Sequence, residues 1–192
     1  MRIVLATANP DKVAELAALL PGAEVETAPE GFEVEETGTT LFQNAWIKAL
    51  ALRERVGGDA VVVADDTGLV VRALGGRPGV FSSRYAGPEA TYEDNVRRLL
   101  EELGDAEDRR SAFVTVLVGI GPSGGDAWVA CGTCPGEITR APRGTRGFGY
   151  DPVFVPDGES RTLAEMTPEE KGAVSHRGRA ARRLAALLEL AA

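Results

Sequence analysis

Apolar and polar residues alternate along this chain in patterns that predict a mixed α/β fold. Two short apolar runs, "RIVLAT" and "AEVETA", are typical of strands, and "NPDKVAELAALLP" between them has the three- and four-residue spacing of a helix. A longer helix is predicted for "TTLFQNAWIKALALRERVGG", opened by Thr39 or Thr40 and stopped by Gly57 and Gly58. The valine run that follows, in "VVVADDTGLVV", predicts a buried strand.

The second half of the chain continues in the same manner. After the loop-rich "LGGRPGVFSSRYAG", the segment "TYEDNVRRLLEEL" predicts a helix capped by Thr91. Alternation in "SAFVTVLVGIG" and "DAWVACGTC" predicts paired strands around the turn "GPSGG". A glycine-rich loop "APRGTRGFGYD", a short helix "TLAEMTPEEK" and a terminal amphipathic helix "SHRGRAARRLAALLEL" with arginines on its solvent face complete the series. Because no linker interrupts it, we expect one domain over residues 1–192, with two lobes around one cleft as an option.

The net charge of the chain limits the classes of molecule that it is expected to bind. The net charge of -8 and the pI near 4.8 argue against nucleic-acid binding and against a basic membrane-binding surface. The apolar run Ile3 to Ala8 is too short for a signal-peptide core, and no segment has the length of a membrane span, so we expect a cytoplasmic protein. The two cysteines, Cys131 and Cys134, lack a second pair for a zinc site and are expected to be thiols at a strand end.

Asp65 and Asp66 directly follow the valine run, where a buried charge needs a partner. We expect the strand to end at these carboxylates, with Gly68 allowing a sharp turn, and the pair to lie where α/β sheets bind ligands. Magnesium suits a site that offers Glu36 and Asp66, because this ion keeps several waters and takes only one or two carboxylates. An Asx turn that caps the strand end is the structural alternative.

Two other segments predict phosphate contacts. In "TANPDK" the free amides of a helix start attract anions, and Thr7, Asn9 and Lys12 add polar and positive groups. Asn44 and Lys48 stand four residues apart and so share one face of the second helix. The alternatives are a capped helix with a surface lysine in the first case and solvated side chains in the second.

The segments "GTRGFGYDPVF" and "EEKGAVSHRG" have the composition of a base-binding site. Small residues around Phe148 and Tyr150 leave both rings accessible for stacking, and Lys171, His176 and Arg177 are donors for carbonyl oxygens. Core aromatics and a helix cap are the alternative interpretation.

Lysine is rare in this chain. Only three of the 21 basic residues are lysines, and Lys12, Lys48 and Lys171 each lie in one of the segments above. We therefore expect that the site uses lysine at these positions because it needs a compact ammonium group.

Seven motifs, in order, closely resemble the inosine triphosphate pyrophosphatase family: "TANPDK", "EETG", "FQNAWIKA", "ADDTGL", "LGGRPGVFSSRYAG", "GFGYDPVF" and "EEKGAVSHRG". The resemblance extends from about residue 3 to about residue 188. It implies an elongated mixed sheet flanked by helices, with two lobes around a substrate cleft and a homodimeric assembly. It also implies Mg²⁺-dependent hydrolysis of inosine, xanthosine and deoxyinosine triphosphates to the monophosphate and pyrophosphate.

The resemblance assigns roles residue by residue. Asp66 is similar to the catalytic acid-base residue, with Glu36 and Asp66 as magnesium ligands. The triphosphate contacts are implied at Thr7, Asn9, Lys12, Lys48 and Thr67. The base pocket is implied at Phe148, Gly149, Tyr150, Asp151, Lys171, His176 and Arg177.

Two positions depart from the pattern of the family. Thr67 stands where serine is common, which keeps the hydroxyl and adds a methyl group, and Cys134 stands where an aromatic residue is common. Three other functions stay open: a pyrophosphatase of the Maf type that acts on other nucleotides, a nucleotide-binding regulator without turnover, and, least favoured by the acidic charge, a nucleic-acid-binding module.

Overall fold

The structure is a computed structural model that describes residues 1–122 and 124–190. Its seven strands are β1 (Arg2–Leu5), β2 (Glu24–Thr27), β3 (Val61–Val71), β4 (Pro78–Gly79), β5 (Arg110–Ile120), β6 (Ala127–Ile138) and β7 (Phe154–Pro156). Its five α-helices are α1 (Pro10–Leu19), α2 (Leu41–Arg55), α3 (Tyr92–Leu103), α4 (Pro168–Val174) and α5 (His176–Leu187). The strand order is β2-β1-β3-β5-β6-β7, with β4 paired to β3. This arrangement confirms the predicted mixed α/β class.

The residues separate into two compact units. Unit 1 comprises Met1–Asp66, Thr115–Gly132 and Arg177–Ala192, and unit 2 comprises Thr67–Val114 and Thr133–His176. Strands β3, β5 and β6 contribute residues to both. The single domain with two lobes stays a prediction.

In unit 1, strand β1 pairs in parallel with β2 on one side and with β3 on the other. Alternate residues of a strand point to opposite faces, so Ile3 and Leu5 pack with helices α1 and α5, whereas Val4 and Ala6 pack with α2. The helices thereby cover both faces of this part of the sheet. In unit 2, β4 and β7 pair antiparallel with β3 and β6, and one core cluster forms around residues such as Leu99, Phe113 and Phe154.

The helix starts follow local capping signals. Thr40 caps α2 and Thr91 caps α3, and each forms a reciprocal capping box with the residue three positions later, Gln43 and Asp94. Among the described residues, no helix is long and apolar enough to cross a bilayer.

Three predicted elements were wrong in detail. Strand β3 does not end at the paired aspartates but continues to Val71. The segment "TLAEMTPEEK" forms a 3₁₀ turn at Leu163–Glu165 and then begins helix α4, because Thr167 caps a new helix start. Along α5, Arg177 is buried and does not lie on the solvent face. Ser123 of the predicted turn "GPSGG" lies outside the described residues.

Cys131 and Cys134 both lie on β6, and neither forms a disulfide. Cys131 is exposed and Cys134 is buried, as expected for residues three apart on opposite faces of a strand. The expected position near a strand end is not observed, because β6 extends to Ile138.

Candidate active site

The turn between β1 and α1 is held by its own side chains. Asn9 caps the helix, and its Oδ1 accepts hydrogen bonds from the amides of Asp11 and Lys12 at 2.9 and 3.4 Å. Thr7 Oγ1 accepts from the amide of Asn9 at 3.1 Å. The expectation of free amides at this helix start is therefore wrong for Asp11 and Lys12, whose amides donate to Asn9. An anion at this turn would be bound by side chains.

A buried ion-pair network lies beside this turn. Lys12 Nζ is 2.5 Å from Asp65 Oδ1, and Arg177 Nε donates to Asp65 Oδ2 at 2.9 Å. Arg177 also donates to Glu15 Oε2 at 2.8 Å, and only 2% of its side chain is exposed. The structure thus places the guanidinium of Arg177 against two carboxylates of unit 1, and its implied role in the base pocket stays a prediction.

The second cluster joins Lys48 to both proposed metal ligands. Lys48 Nζ donates to Asp66 Oδ1 at 2.8 Å, to Glu36 Oε1 at 3.0 Å and to the main-chain oxygen of Asp65 at 2.9 Å. A buried carboxylate is tolerated at position 66, in the middle of a strand, because the ammonium of Lys48 compensates its charge. Thr67 follows Asp66 on the same strand and is half-buried.

The two adjacent aspartates have oppositely displaced pKa values. Burial alone would raise the pKa of Asp65, but the charges of Arg177 and Lys12 outweigh it and hold that pKa far below the usual range. For Asp66, burial dominates over the charge of Lys48, and its pKa is raised. Asp65 therefore stays ionised within the network, whereas Asp66 binds a proton more readily than an ordinary aspartate does.

Glu36 and Asp66 fit a magnesium ion. Asp66 Oδ2 is a buried oxygen with no hydrogen-bond partner in the described structure. Buried polar atoms are normally paired, so a cation or a hydrogen-bond donor bound at this oxygen would stabilise it. One or two carboxylates suffice for Mg²⁺, which takes its other ligands from water and phosphate. Within residues 1–122 and 124–190, no group of three or more His, Cys, Asp or Glu side chains could hold a metal ion.

The turn that carries Glu36 is fixed by helix α2. Asn44 is fully buried, and its Oδ1 accepts from the amide of Gly38 at 2.8 Å. A Cβ at position 38 would lie 2.5 Å from that oxygen, so glycine is required by space. Asn44 thus positions the turn, which is a different role from the phosphate contact expected from its helical face.

Unit 2 contains a third cluster, around Asp151. Asp151 Oδ2 accepts from the amide of Phe148 at 2.9 Å and from Lys171 Nζ at 2.7 Å. The ammonium of Lys171 also lies 4.7 Å from the centre of the Phe148 ring, a cation–π distance. Gly149 has a φ of 61°, which favours glycine, and lets the loop bend between Phe148 and the buried Tyr150.

Tyr150 and His176 belong to the interior of unit 2. Only 4% of Tyr150 is exposed, and its hydroxyl donates to the Ser82 carbonyl at 2.8 Å. The expectation of two accessible rings is wrong for Tyr150 and holds in part for Phe148, which is half-buried. His176 is also buried, and its ring stacks on Phe113 with centroids 4.4 Å apart.

The sequence analysis did not identify Glu15 as a member of these clusters, and it did not identify Arg177 as the partner of Asp65. Glu15 stands three residues after Lys12 on α1, so helical spacing already placed both on one face. Asp65 was identified as a charge that needs a partner, but no local signal points to Arg177, which lies 112 residues away.

The model of the Ham1 family matches residues 3–187. The chain belongs to the Ham1 family. A relative from Aquifex aeolicus (strain VF5), named dITP/XTP pyrophosphatase, is 46% identical over 200 residues, which cover 98% of this chain and 97% of the relative. The solved structure of the Staphylococcus aureus Ham1 protein is similar with a TM-score of 0.86 at 40% identity, and 98% of each chain is covered.

A second solved structure links the Ham1 fold to a named activity. The protein from Mycobacterium abscessus described as a nucleoside-triphosphatase / dITP/XTP pyrophosphatase has a TM-score of 0.72 at 45% identity over 97% of each chain. Together with the Ham1 model, these relatives confirm the family resemblance inferred from the seven motifs.

Proposed function

We propose that this chain hydrolyses the triphosphates of deoxyinosine, xanthosine and inosine to the monophosphate and pyrophosphate. The observation that carries the proposal is the buried Asp66 carboxylate, bound on one oxygen by Lys48 and with its other oxygen unsatisfied. Relatives that match nearly the whole chain have names that describe this activity.

The chemistry assigned to the residues of unit 1 is transfer of the nucleotidyl group to water. Asp66 accepts a proton from the water that attacks the α-phosphorus, while the bond from that phosphorus to the bridging oxygen breaks and pyrophosphate leaves. Lys12 and Lys48 hold the polyphosphate, together with the short side chains of Thr7 and Asn9. Magnesium bound by Glu36 and Asp66 would neutralise charge on the phosphate oxygens.

Base selection is assigned to residues named in the family motifs. Hypoxanthine and xanthine carry an acceptor oxygen at C6, whereas adenine carries an amino donor. Lys171, His176 and Arg177 are donor side chains, so we expect them to favour a C6 oxygen and to disfavour the amino group of adenine. The half-buried ring of Phe148 supplies a stacking surface, and Asp151 orients the loop that carries it. Gly149 and Thr67 complete the proposed substrate contacts, whereas Tyr150, whose side chain is buried, supports this loop from the core of unit 2.

A substrate panel tests the proposal directly. Monophosphate and pyrophosphate are measured from dITP, XTP, ITP, ATP, GTP and dTTP, with and without magnesium. We expect turnover of the first three only, and only with the metal. Equal efficiency on ATP and ITP would overturn the base-pocket assignment, and a preference for pyrimidine nucleotides would favour the Maf-type alternative.

The catalytic assignment has its own test. Asp66→Asn removes the proton acceptor and one metal ligand, so we expect kcat to fall by about 10²–10⁴-fold with a smaller change in nucleotide affinity. Single-turnover measurements of the wild type separate an enzyme from a nucleotide-binding regulator. An unchanged kcat in the variant would remove Asp66 from the mechanism.

The remaining expectations belong to the same proposal. We propose a single domain with two lobes, a homodimer and a cytoplasmic location, as the family resemblance and the nucleotide substrate suggest. Light scattering at several protein concentrations tests the dimer, and a monomeric mass throughout would contradict it.

A further inference from the structure

The ammonium of Lys48 has no donor left for a substrate. An ammonium has three N–H groups, and Nζ donates to three oxygens between 2.8 and 3.0 Å away. Only 10% of the side chain is exposed. To hold a phosphate, as the proposed function requires, Lys48 must give up at least one of these bonds.

The oxygens that hold Lys48 are those proposed for the metal. Glu36 Oε1 and Asp66 Oδ1 both accept hydrogen bonds from the ammonium. Its positive charge repels a divalent ion that approaches the same oxygens. Asp66 Oδ2, which has no partner, is the oxygen at which such an ion can first bind.

We propose that Lys48 and the metal ion compete for Glu36 and Asp66, and that Lys48 leaves these carboxylates for the polyphosphate when the ion binds with the nucleotide. The inference rests on the proposed function. A lysine suits this exchange because its ammonium is a point charge on a flexible four-carbon stem. The competition makes binding of the ion alone weak and couples it to binding of the substrate.

Lys12 is a matched control in the same unit. Its ammonium pairs with Asp65 Oδ1 at 2.5 Å, which is not a proposed metal ligand. Asp66 senses the charges of both lysines, so each Lys→Met variant removes one positive charge near the site. Only Lys48→Met also removes the competitor for the ligand oxygens.

The first experiment measures the affinity of Mn²⁺ alone for the nucleotide-free protein by electron paramagnetic resonance. We expect Lys48→Met to bind the ion about tenfold more tightly than the wild type, and Lys12→Met to gain less than about threefold, because charge removal alone acts weakly. A gain below threefold for Lys48→Met, or an equal gain in the two variants, overturns the proposal. Circular dichroism verifies that both variants are folded.

A second measurement uses the wild-type protein. The chain has three lysines, so its ammonium resonances can be assigned from Lys→Met variants and followed by ¹⁵N-detected NMR. We expect the Lys48 signal to shift when Mg²⁺ and the α,β-methylene analogue of ITP are added together. An unchanged Lys48 signal with bound analogue overturns the proposal. Pyrophosphate release from dITP by the same sample tests the proposed function separately.

Discussion

Asp65→Asn removes the anion that pairs with the buried Arg177 and the partly buried Lys12. Asp65 accepts from Lys12 on one oxygen and from Arg177 on the other, and its side chain is 1% exposed. The amide keeps the shape but has no charge, and its NH₂ group faces one of the two cations. Removing one partner of a buried ion pair costs about 3–5 kcal/mol. Because Glu15 still pairs with Arg177 and Lys12 is only partly buried, we expect a cost near the lower end, about 3 kcal/mol.

That cost is large relative to the stability of an ordinary domain, which is about 5–15 kcal/mol. For a chain of this size each kcal/mol lowers Tm by about 2–4 °C, so a cost of about 3 kcal/mol predicts a loss of roughly 6–12 °C. Urea unfolding followed by circular dichroism gives the free energy, and a thermal scan gives Tm.

Asp157→Asn is the matched control. Asp157 receives two hydrogen bonds of 2.9 Å from Arg110, but both side chains are largely exposed, at 40 and 46%. Exposed pairs contribute about 0–1 kcal/mol, so this substitution should change the unfolding free energy by no more than that. If both variants lose the same stability, burial is not the reason for the effect of Asp65.

The pH dependence of the Asp65→Asn effect has a definite sign. The pKa of Asp65 in the folded state lies below the ordinary value of 3.8, so its stabilising contribution is complete above that value and decreases as the pH falls below it. The difference in unfolding free energy between wild type and variant should therefore narrow below pH 3.8. A difference that widens on acidification would refute the assigned ion pairs.

Three further predictions address other groups of units 1 and 2. In the magnesium-free protein, ¹³C-detected titration should place the pKa of Asp66 above 3.8 and that of Asp65 below it; displacement in the same direction would contradict the assigned environments. Gly38→Ala puts a methyl group 2.5 Å from the side-chain oxygen of Asn44, so it should displace the turn that carries Glu36. We expect the variant to need more magnesium for half-maximal activity, and an unchanged magnesium dependence would contradict this. Tyr150→Phe leaves the Ser82 carbonyl without its donor and should lower the unfolding free energy by about 1–3 kcal/mol in urea, and an unaltered midpoint would show that this bond is replaced.

The elements of this fold were largely predictable because their signals are local. Thr40 and Thr91 precede amphipathic segments, and the helices begin at the next residue in both cases. The continuation of β3 through Asp65 and Asp66 was not predictable in this way. Local pattern associates adjacent charges with a strand end, whereas here cations from distant segments make the charges tolerable within the strand.

The candidate site shows the same division. Residue types and motif order were sufficient to identify the family and to nominate Glu36, Lys48 and Asp66. In the structure the ammonium of Lys48 donates hydrogen bonds to both carboxylates. They were not sufficient for Tyr150, whose flanking glycines suggested an accessible ring although the side chain packs in the core of unit 2.

The sequence by itself determined the order of helices and strands, the family and the set of groups able to do the chemistry, because these depend on neighbouring residues and on recurring motifs. Only the tertiary structure decided which carboxylate compensates which cation. Arg177 reaches Asp65 across 112 positions, and Lys48 reaches Asp66 across 18. Ion pairing depends on distance and burial in space, which a linear pattern of charges does not specify.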